Sequence, residues 1–312
     1  MFRTFSRHSN KPSRERRNGS AIEKTVLGHV RKSRGSRRAT RRVDLRGRER
    51  LEDSDRLARL FGLIAVRAGA SIMEVRASGR TAQIKSDGSP VTQADLQADE
   101  IIRTCLRRNL PHLPVITEET CSSAVRVKAG RFVLVDPLDG TKEFVQGSTE
   151  FTVNIALVES GIPLAGAVYA PALGELYLGG ACAYKLRVNN RQEAPDFSDI
   201  QVLKVRSPPH QGLRIVTSRS HLDLATQEWI DRHRVCDLKP SGSSLKFCII
   251  AEGEADVYPR FAPTMEWDTA AGHAVLLAAG GVVNGVDGKA LRYGKPGYLN
   301  PAFVAWGSSP GR

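Results

Sequence analysis

The 312-residue chain is poor in cysteine and in long apolar segments. Its five cysteines are odd in number, and no two of them form a C-x-x-C pair. Because a disulfide framework needs paired cysteines and a structural zinc site needs closely spaced thiolates, the sequence argues against both. Free thiols persist in a reducing compartment, so the cysteine pattern predicts a cytoplasmic protein.

Long apolar segments are absent as well. None approaches the ~18–20 residues that a helix needs to cross a bilayer, and no signal-peptide core is visible. The sequence therefore predicts a soluble protein without a membrane span. It also contains no internal repeat.

Acidic residues are scarce in the first fifty positions, which hold four Asp or Glu against seventeen Lys or Arg. The other 262 residues hold twenty-nine of each sign, so the whole net charge of +13 belongs to this segment. Because it has few large apolar residues and no sustained period, it cannot bury enough surface to offset its ordering entropy. We predict a basic, disordered tail over residues 1–50. Nucleic acid or an anionic surface would bind only through this tail; the alternative is a solvated extension without a binding role.

Residues 51–312 alternate between helical and strand-like patterns, as is typical of an α/β protein. A first helix, with Ser54 as its expected N-cap, is indicated by apolar residues at helical spacing: Leu57, Leu60, Phe61, Ile64, Ala68 and Ile72. A second helix is predicted over residues 91–108. The polar segment 189–207 is predicted to be a loop. We place a boundary near its start, between an α+β metal-binding half (residues 51–187) and an α/β half (residues 188–312) that completes the active site.

The most informative stretch begins with a short apolar strand, residues 132–135, that leads into Asp136. Pro137 fixes φ, so we expect a turn that brings Asp136 and Asp139 to one point. Two like charges ~4 Å apart, at an effective dielectric constant near 20, cost about 4 kcal/mol. Either one carboxyl is protonated or a cation lies between them. The amides of Gly140 and Thr141, which follow, offer an anion site.

Two further acidic segments favour the cation. Glu118 and Glu119 follow the short apolar run 115–116, and Asp268 lies at the start of an Ala- and Gly-rich helix. Ligands for a hard cation can converge at such strand ends and helix starts. The simpler interpretation of Asp-x-x-Asp-Gly is a tight turn. The helix dipole alone also explains an acid in the first turn of a helix.

Three motifs together resemble the inositol monophosphatase superfamily of Mg²⁺-dependent phosphatases. They are Thr117-Glu118-Glu119, Asp136-Pro137-Leu138-Asp139-Gly140-Thr141 and Trp267-Asp268-Thr269-Ala270-Ala271-Gly272. Three more segments resemble the bacterial 3′(2′),5′-bisphosphate nucleotidases of the CysQ type: Lys142-Glu143-Phe144, Gly242-Ser243-Ser244-Leu245-Lys246-Phe247 and Tyr258-Pro259-Arg260-Phe261. The resemblance runs from about Leu51 to Trp306. It implies a layered αβαβα fold.

The resemblance also implies roles for individual residues. The implied ligands of two or three Mg²⁺ ions are Glu118, Asp136, the carbonyl of Leu138, Asp139 and Asp268. Thr141, Asp95 and Glu118 would position and deprotonate the attacking water. The substrate would contact Gly140, Thr141, Gly242, Ser243, Ser244, Lys246 and Arg260. The implied reaction is the hydrolysis of 3′-phosphoadenosine 5′-phosphate to AMP and phosphate, a step connected with sulfur assimilation and inhibited by lithium and calcium.

Structural alternatives remain for several of these residues. Asp95 fits a capping box with Thr92, Ser243 could simply cap a helix, and Lys246 and Arg260 could be solvated bases. Three other functions also remain: inositol monophosphatase or fructose-1,6-bisphosphatase activity on the same fold, nucleic-acid association through the tail, and an inactive homologue. The intact ligand positions disfavour the last. An oligomer is compatible with the sequence.

Overall fold

The computed structural model of the chain describes residues 45–79, 83–84, 90–121, 130–189, 194–219 and 223–308. The tail predicted for residues 1–50 lies outside the described residues, except that its last six positions already belong to a helix. In the part of the chain that is described, no helix has the length and apolarity needed to cross a membrane.

Two helices form the first layer. They are α1 (Leu45–Ala77) and α2 (Gln93–Asn109). The predicted N-cap was wrong, because Ser54 lies inside α1 and its hydroxyl donates to the carbonyl of Leu51 at 2.8 Å. Between the helices, the short strands β1 (Gln83–Ile84) and β2 (Pro90–Val91) pair with each other.

The second layer is a seven-stranded sheet whose strands are neighbours in chain order. They are β3 (Val115–Thr117), β4 (Arg131–Asp139), β5 (Thr152–Glu159), β6 (Ile162–Ala170), β7 (Glu175–Gly179), β8 (Ala183–Arg187) and β9 (Gln201–Leu203). Only β3 and β4 pair in parallel; the other pairs are antiparallel. Strand β9 lies within the segment that was predicted to be a loop.

The fourth layer is a mixed sheet of five strands in the order β11-β10-β12-β16-β14. Its strands are β10 (Leu213–Ser218), β11 (Val235–Ser241), β12 (Val257–Arg260), β14 (Val282–Gly285) and β16 (Phe303–Trp306). Strand β10 is parallel to β11 and β12, and β16 is antiparallel to β12 and β14. A separate pair is formed by β13 (Thr264–Met265) and β15 (Leu299–Asn300).

Three more helices complete the layers. They are α4 (Leu224–Asp231), α5 (Leu245–Ala251) and α6 (Glu266–Ala278), while α3 (Thr141–Val145) is a single turn between β4 and β5. Helices α5 and α6 form the third layer, between the two sheets, since one apolar cluster joins them to Tyr177 of β7 and Tyr258 of β12. Helix α4 covers the other face of the second sheet through Ile230. The predicted αβαβα fold is confirmed, and the boundary near residue 187 stays a prediction.

The middle layer packs tightly around one aromatic side chain. Phe247 of α5 is 1% exposed and lies edge-on to Tyr258, with 5.5 Å between the ring centroids. It also stacks on Phe303, at 6.0 Å. Gly272 of α6 faces the same ring, and a Cβ there would come within 2.7 Å of it. Helices α5 and α6 therefore approach each other closely through this contact.

We expect the substitution Phe247→Ala to lower the free energy of unfolding by about 3–5 kcal/mol, because the surrounding layers cannot close the cavity it leaves. Chemical denaturation followed by circular dichroism measures the change. Leu224→Ala is the control, since that side chain is 77% exposed and its loss should change stability by no more than about 0.5 kcal/mol. Equal effects of the two substitutions would contradict this account of the core.

Candidate active site

Strand β4 does not end at Asp136 as predicted. Asp136 pairs with Asn154 and Asp139 with Thr152. The two pairs are three residues apart on β4 but only two residues apart on β5, so β4 has one extra residue. The extra residue is a β-bulge, which leaves one residue without a partner and can hold a proline within a sheet. The prediction of a turn at Pro137 was therefore wrong, because Pro137 lies in a bulge within β4. The bulge keeps both carboxylates at the end of the strand, and Asp136 Oδ1 accepts the amide of Leu138 at 3.1 Å.

Four acidic side chains from different parts of the chain meet at this bulge. Burial raises the pKa of Asp136 well above its ordinary value, and the neighbouring charges of Glu118, Asp139 and Asp268 raise it further. The pKa of Asp268 is also raised, first by burial and then by Asp139 and Glu118. Glu118 directly follows β3, and its amide donates to the carbonyl of Val135 at 3.1 Å. The structure thus brings the four predicted acidic ligands within electrostatic reach of one another.

The chemistry of this donor set fits a hard divalent cation. All four groups are oxygen donors, and their mutual repulsion is the kind that a bound cation relieves. Within the described residues, no group of three or more acidic, histidine or cysteine side chains is arranged so that it could hold a metal ion. Two of the carboxylates instead accept hydrogen bonds. Asp139 Oδ2 accepts the hydroxyl of Ser243 at 2.6 Å, and Asp268 Oδ2 accepts the amide of Met265 at 2.8 Å.

Asp95 holds two partners at once. Its Oδ2 accepts the backbone amide of Thr92 at 2.7 Å, which confirms the capping box predicted at the start of α2. Its Oδ1 accepts the hydroxyl of Thr141 at 3.0 Å, as the family resemblance implied. The same hydroxyl lies 3.1 Å from the carbonyl of Leu138. Because a hydroxyl carries one proton, it can donate to only one of these two acceptors at a time.

Helix α3 begins directly after Gly140, whose φ of 90° lies in the left-handed region. The carbonyl of Glu150 lies only 3.2 Å from the position that a Cβ on Gly140 would occupy. A side chain at this position would therefore be strained by its backbone angle and crowded by the next loop. Gly140 lets the chain turn from the bulge of β4 into α3 while Thr141 stays beside Asp95.

Residues 242–244, the serine segment, reach this corner from the other half of the chain. Ser243 has a φ of 52°, which is unusual for a residue with a side chain. Its predicted alternative role as a helix cap was wrong, because the N-cap of α5 is Ser244. The hydroxyl of Ser244 donates to Asn154 Oδ1 at 2.7 Å. The serine segment is therefore bonded to both β4 and β5.

The two predicted substrate bases are buried, so the alternative that they are solvated is wrong. Lys246 is 6% exposed, and its Nζ donates to the carbonyls of Ser243 and Ser241. Burial lowers the pKa of Lys246 to about 8, although the charge of Asp139 opposes this. Arg260 is 8% exposed and donates to the carbonyls of residues 262 and 263 at 3.0 and 3.2 Å. The charge of Lys246 acts on Asp139 and that of Arg260 on Asp268, so both cations neutralise part of the negative charge of the site.

Sequence reasoning missed Thr152 and Asn154 as site residues and assigned them only to a strand. Thr152 Oγ1 makes hydrogen bonds with the hydroxyls of both serines of the serine segment. Both residues are fully buried. The available signal was their polarity in a strand that is otherwise apolar and buried on both faces.

The comparisons with known proteins agree with this geometry. The model of the Inositol monophosphatase family matches residues 53–308. The chain belongs to this family, as its motifs predicted. The 3′(2′),5′-bisphosphate nucleotidase CysQ of Escherichia coli strain K12 is 43% identical over 245 residues, which cover 77% of this chain and 95% of that protein. The CysQ of Buchnera aphidicola is 38% identical over 78% of this chain and 90% of its own.

Solved structures support the same assignment. The crystal structure of CysQ from Bacteroides thetaiotaomicron superposes with a TM-score of 0.70 at 38% identity and covers 82% of this chain and 98% of that one. An inositol monophosphatase from Thermotoga maritima superposes with a TM-score of 0.60 at 24% identity, which shows a shared fold.

We expect Asp136→Asn to stabilise the metal-free protein at pH 7.5. A carboxyl whose folded pKa lies above its unfolded value binds its proton more tightly when folded, so stability falls as pH rises through this window. The isosteric amide keeps the acceptor for Leu138 and removes the repulsion. The melting midpoint should be at least a few degrees higher than in the wild type, and the difference should shrink towards pH 4, where the wild-type carboxyl is protonated.

Addition of Mg²⁺ at pH 7.5 supplies the matching control. The wild-type midpoint should rise with Mg²⁺ concentration, because an ion that binds only the folded state stabilises it, and the variant should respond less. Differential scanning fluorimetry measures both series. A variant that melts below the wild type at pH 7.5 without Mg²⁺ would show that Asp136 is not repelled by its neighbours.

Proposed function

We propose that the protein is a Mg²⁺-dependent phosphomonoesterase that hydrolyses 3′-phosphoadenosine 5′-phosphate to AMP and phosphate. The observation that carries this proposal is the convergence of four carboxylates on the β4 bulge, beside the Asp95–Thr141 pair. The CysQ relatives support the choice of substrate, because their names describe 3′(2′),5′-bisphosphate nucleotidases.

The residues proposed to hold two or three Mg²⁺ ions are Glu118, Asp136, Asp139, Asp268 and the carbonyl of Leu138. Mg²⁺ suits them because it accepts a few carboxylates and keeps other positions for water and phosphate oxygens. When bound, the ions would supply a water of lowered pKa and charge to stabilise the leaving oxygen.

The proton pathway of the protein itself runs through Thr141 and Asp95. The Thr141 hydroxyl can donate either to Asp95 Oδ1 or to the carbonyl of Leu138. When that carbonyl holds Mg²⁺ as proposed, Asp95 Oδ1 is the remaining acceptor. That hydroxyl then presents its lone pairs to an attacking water, whose proton it and Glu118 can accept. Burial raises the pKa of Asp95, although its hydrogen bonds oppose this. A raised pKa makes the carboxylate a stronger base near neutral pH.

The phosphate and the rest of the substrate would lie between α3 and the serine segment. The amides of Gly140 and Thr141 are proposed to bind the reacting phosphate, and Gly242, Ser243 and Ser244 the nucleotide. Lys246 and Arg260 are buried beneath this space. We propose that they act on the second phosphate mainly through their charge and by shaping the backbone that contacts it.

We further propose a cytoplasmic location and a place in sulfur assimilation. All five cysteines lie among the described residues and none forms a disulfide, which supports a reducing compartment. Nucleic acid or an anionic surface would bind only through the basic segment, residues 1–50, and a solvated extension without a binding role stays the alternative.

Phosphate release from three substrates tests the function. With Mg²⁺, we expect the specificity constant for 3′-phosphoadenosine 5′-phosphate to exceed those for inositol 1-phosphate and fructose 1,6-bisphosphate by at least about a hundredfold, a difference of about 2.7 kcal/mol in transition-state binding. Lithium should inhibit the reaction. Preference for either of the other substrates would overturn the assignment and place the protein elsewhere in the family.

Asp95→Asn separates the catalytic role of Asp95 from its role in capping. The amide can still accept the Thr92 amide but cannot also accept the Thr141 hydroxyl, so we expect kcat to fall by about 10²–10⁴. Thr92→Ala is the matched control. It weakens the cap by about 1 kcal/mol while keeping the Thr141 contact, so kcat should stay near the wild-type value. If Asp95→Asn lowers stability but not kcat, Asp95 only caps α2 and has no catalytic role.

A further inference from the structure

Three polar side chains, two at the start of β5 and one just before it, contact the serine segment. Glu150, Thr152 and Asn154 are two residues apart, the spacing at which side chains of an extended strand point to the same side. Glu150 Oε2 accepts the amide of Gly242 at 2.9 Å. Thr152 and Asn154 contact the two serine hydroxyls that follow. Each residue of the serine segment is thus hydrogen-bonded to the start of β5 or to the residue two positions before it.

The backbone of Glu150 also fills the space between the two glycines of the site. Its carbonyl oxygen lies 3.2 Å from the position of a Cβ on Gly140 and 2.9 Å from that on Gly242. Both glycines are therefore needed for close approach to the same residue. The main chain at Glu150 sets the distance between the start of α3 and the serine segment.

Arg219 holds the Glu150 side chain in this position. Its Nε donates to Oε2 at 2.8 Å and its Nη2 to Oε1 at 3.0 Å, a bidentate pair. Nη2 also donates to the carbonyl of Pro240 at 3.2 Å, and the amide of Arg219 donates to the carbonyl of Ser241 at 3.2 Å. Arg219 thereby connects the end of β10, the end of β11 and Glu150 just before the serine segment begins.

The serine segment in turn contacts a carboxylate of the acidic cluster. The hydroxyl of Ser243 donates to Asp139 Oδ2 at 2.6 Å, and Lys246 binds the carbonyl of Ser243 from beneath. Because the hydroxyl direction depends on where the backbone of the segment lies, a shift of the segment changes the orientation of Asp139. A continuous chain of contacts therefore leads from Arg219 and Glu150 to the acidic cluster.

We propose that Glu150, fixed by Arg219, is a positioning residue of the active site. It places the serine segment against β5 and, through Ser243, orients Asp139. Its kinetic consequence rests on the proposed phosphatase function, whereas its consequence for the serine segment does not. The competing explanation is an ordinary ion pair at the surface, since Arg219 is 49% and Glu150 22% exposed. Such a pair contributes little to stability and nothing to a distant hydroxyl.

The test uses the full-length protein and four variants. Glu150→Ala removes the acceptor and the charge, Glu150→Gln keeps an acceptor for Gly242, and Arg219→Met removes the clamp. Glu159→Ala is the matched control, because Glu159 lies at the other end of β5 and pairs with a different exposed arginine, Arg131. Hydrogen exchange of peptides spanning residues 241–247 is measured by mass spectrometry in metal-free buffer. Phosphate release from 3′-phosphoadenosine 5′-phosphate is measured over a range of Mg²⁺ concentrations.

We expect Glu150→Ala to speed exchange of the Gly242 amide region by at least about tenfold and to lower kcat/KM by about ten- to a hundredfold, since small displacements of active-site groups have effects of this size. The Mg²⁺ concentration for half-maximal rate should rise at least about threefold, because Asp139 loses its orientation. Glu150→Gln should change all three quantities less than Glu150→Ala does, Arg219→Met should shift all three in the same direction as Glu150→Ala, and Glu159→Ala should match the wild type.

The proposal would be overturned if Glu150→Ala did not change hydrogen exchange in residues 241–247, or changed it only as much as Glu159→Ala does. It would also be overturned if the rate of Glu150→Ala depended on Mg²⁺ concentration as that of the wild type does. If the wild type fails to hydrolyse the substrate, the proposed function fails, and the exchange measurement alone then decides whether Glu150 positions the serine segment. The two failures are therefore distinguishable.

Discussion

The repulsion among four clustered carboxylates, of which Asp136 is buried and the other three are partly exposed, is the constraint on which the rest of the site depends. The bulge in β4 places Asp136 and Asp139 on one strand end, β3 adds Glu118, and α6 adds Asp268. Protein groups compensate this charge only in part. Hydrogen bonds from Ser243 and Met265 each serve one carboxylate, and the buried cation of Lys246 lies beneath Asp139. Such residual repulsion is the kind that a bound cation relieves, and it is the electrostatic basis of the metal site proposed above.

The constraint explains why the two halves of the chain are bonded so closely at this corner. Strand β5, with Thr152 and Asn154 buried among apolar neighbours, supplies hydrogen-bond partners for the serine segment about 90 residues further along the chain. Buried polar groups without partners are costly, so each half needs the other to satisfy its own groups. The site therefore forms only when the layers are assembled, and its geometry inherits the rigidity of the sheet.

Sequence reasoning singled out the acidic residues of the cluster because their pattern is local: each follows an apolar strand or opens a helix. Alternating helical and strand-like patterns indicated an α/β protein, and the resemblance carried by the motifs implied the layered fold. It misjudged features that depend on tertiary contacts. Pro137 stays in the strand because the sheet accommodates a bulge, and Ser54 lies inside a longer helix. Lys246 is buried because α5 is the central layer, a position that its own helix does not reveal.

Asp95 and Asp268 share one structural arrangement, a helix cap that serves both the stability of the helix and the orientation of the carboxylate. Asp95 and Asp268 both occupy the third position of a helix, and each uses one oxygen to accept the amide of the N-cap residue. The cap fixes the rotation of the carboxylate, so its second oxygen points in a defined direction without help from a ligand. The positive end of the helix dipole also favours the ionised form, against the burial that raises both pKa values. Capping is thus compatible with the roles proposed for these residues, because the cap holds each carboxylate in a fixed orientation.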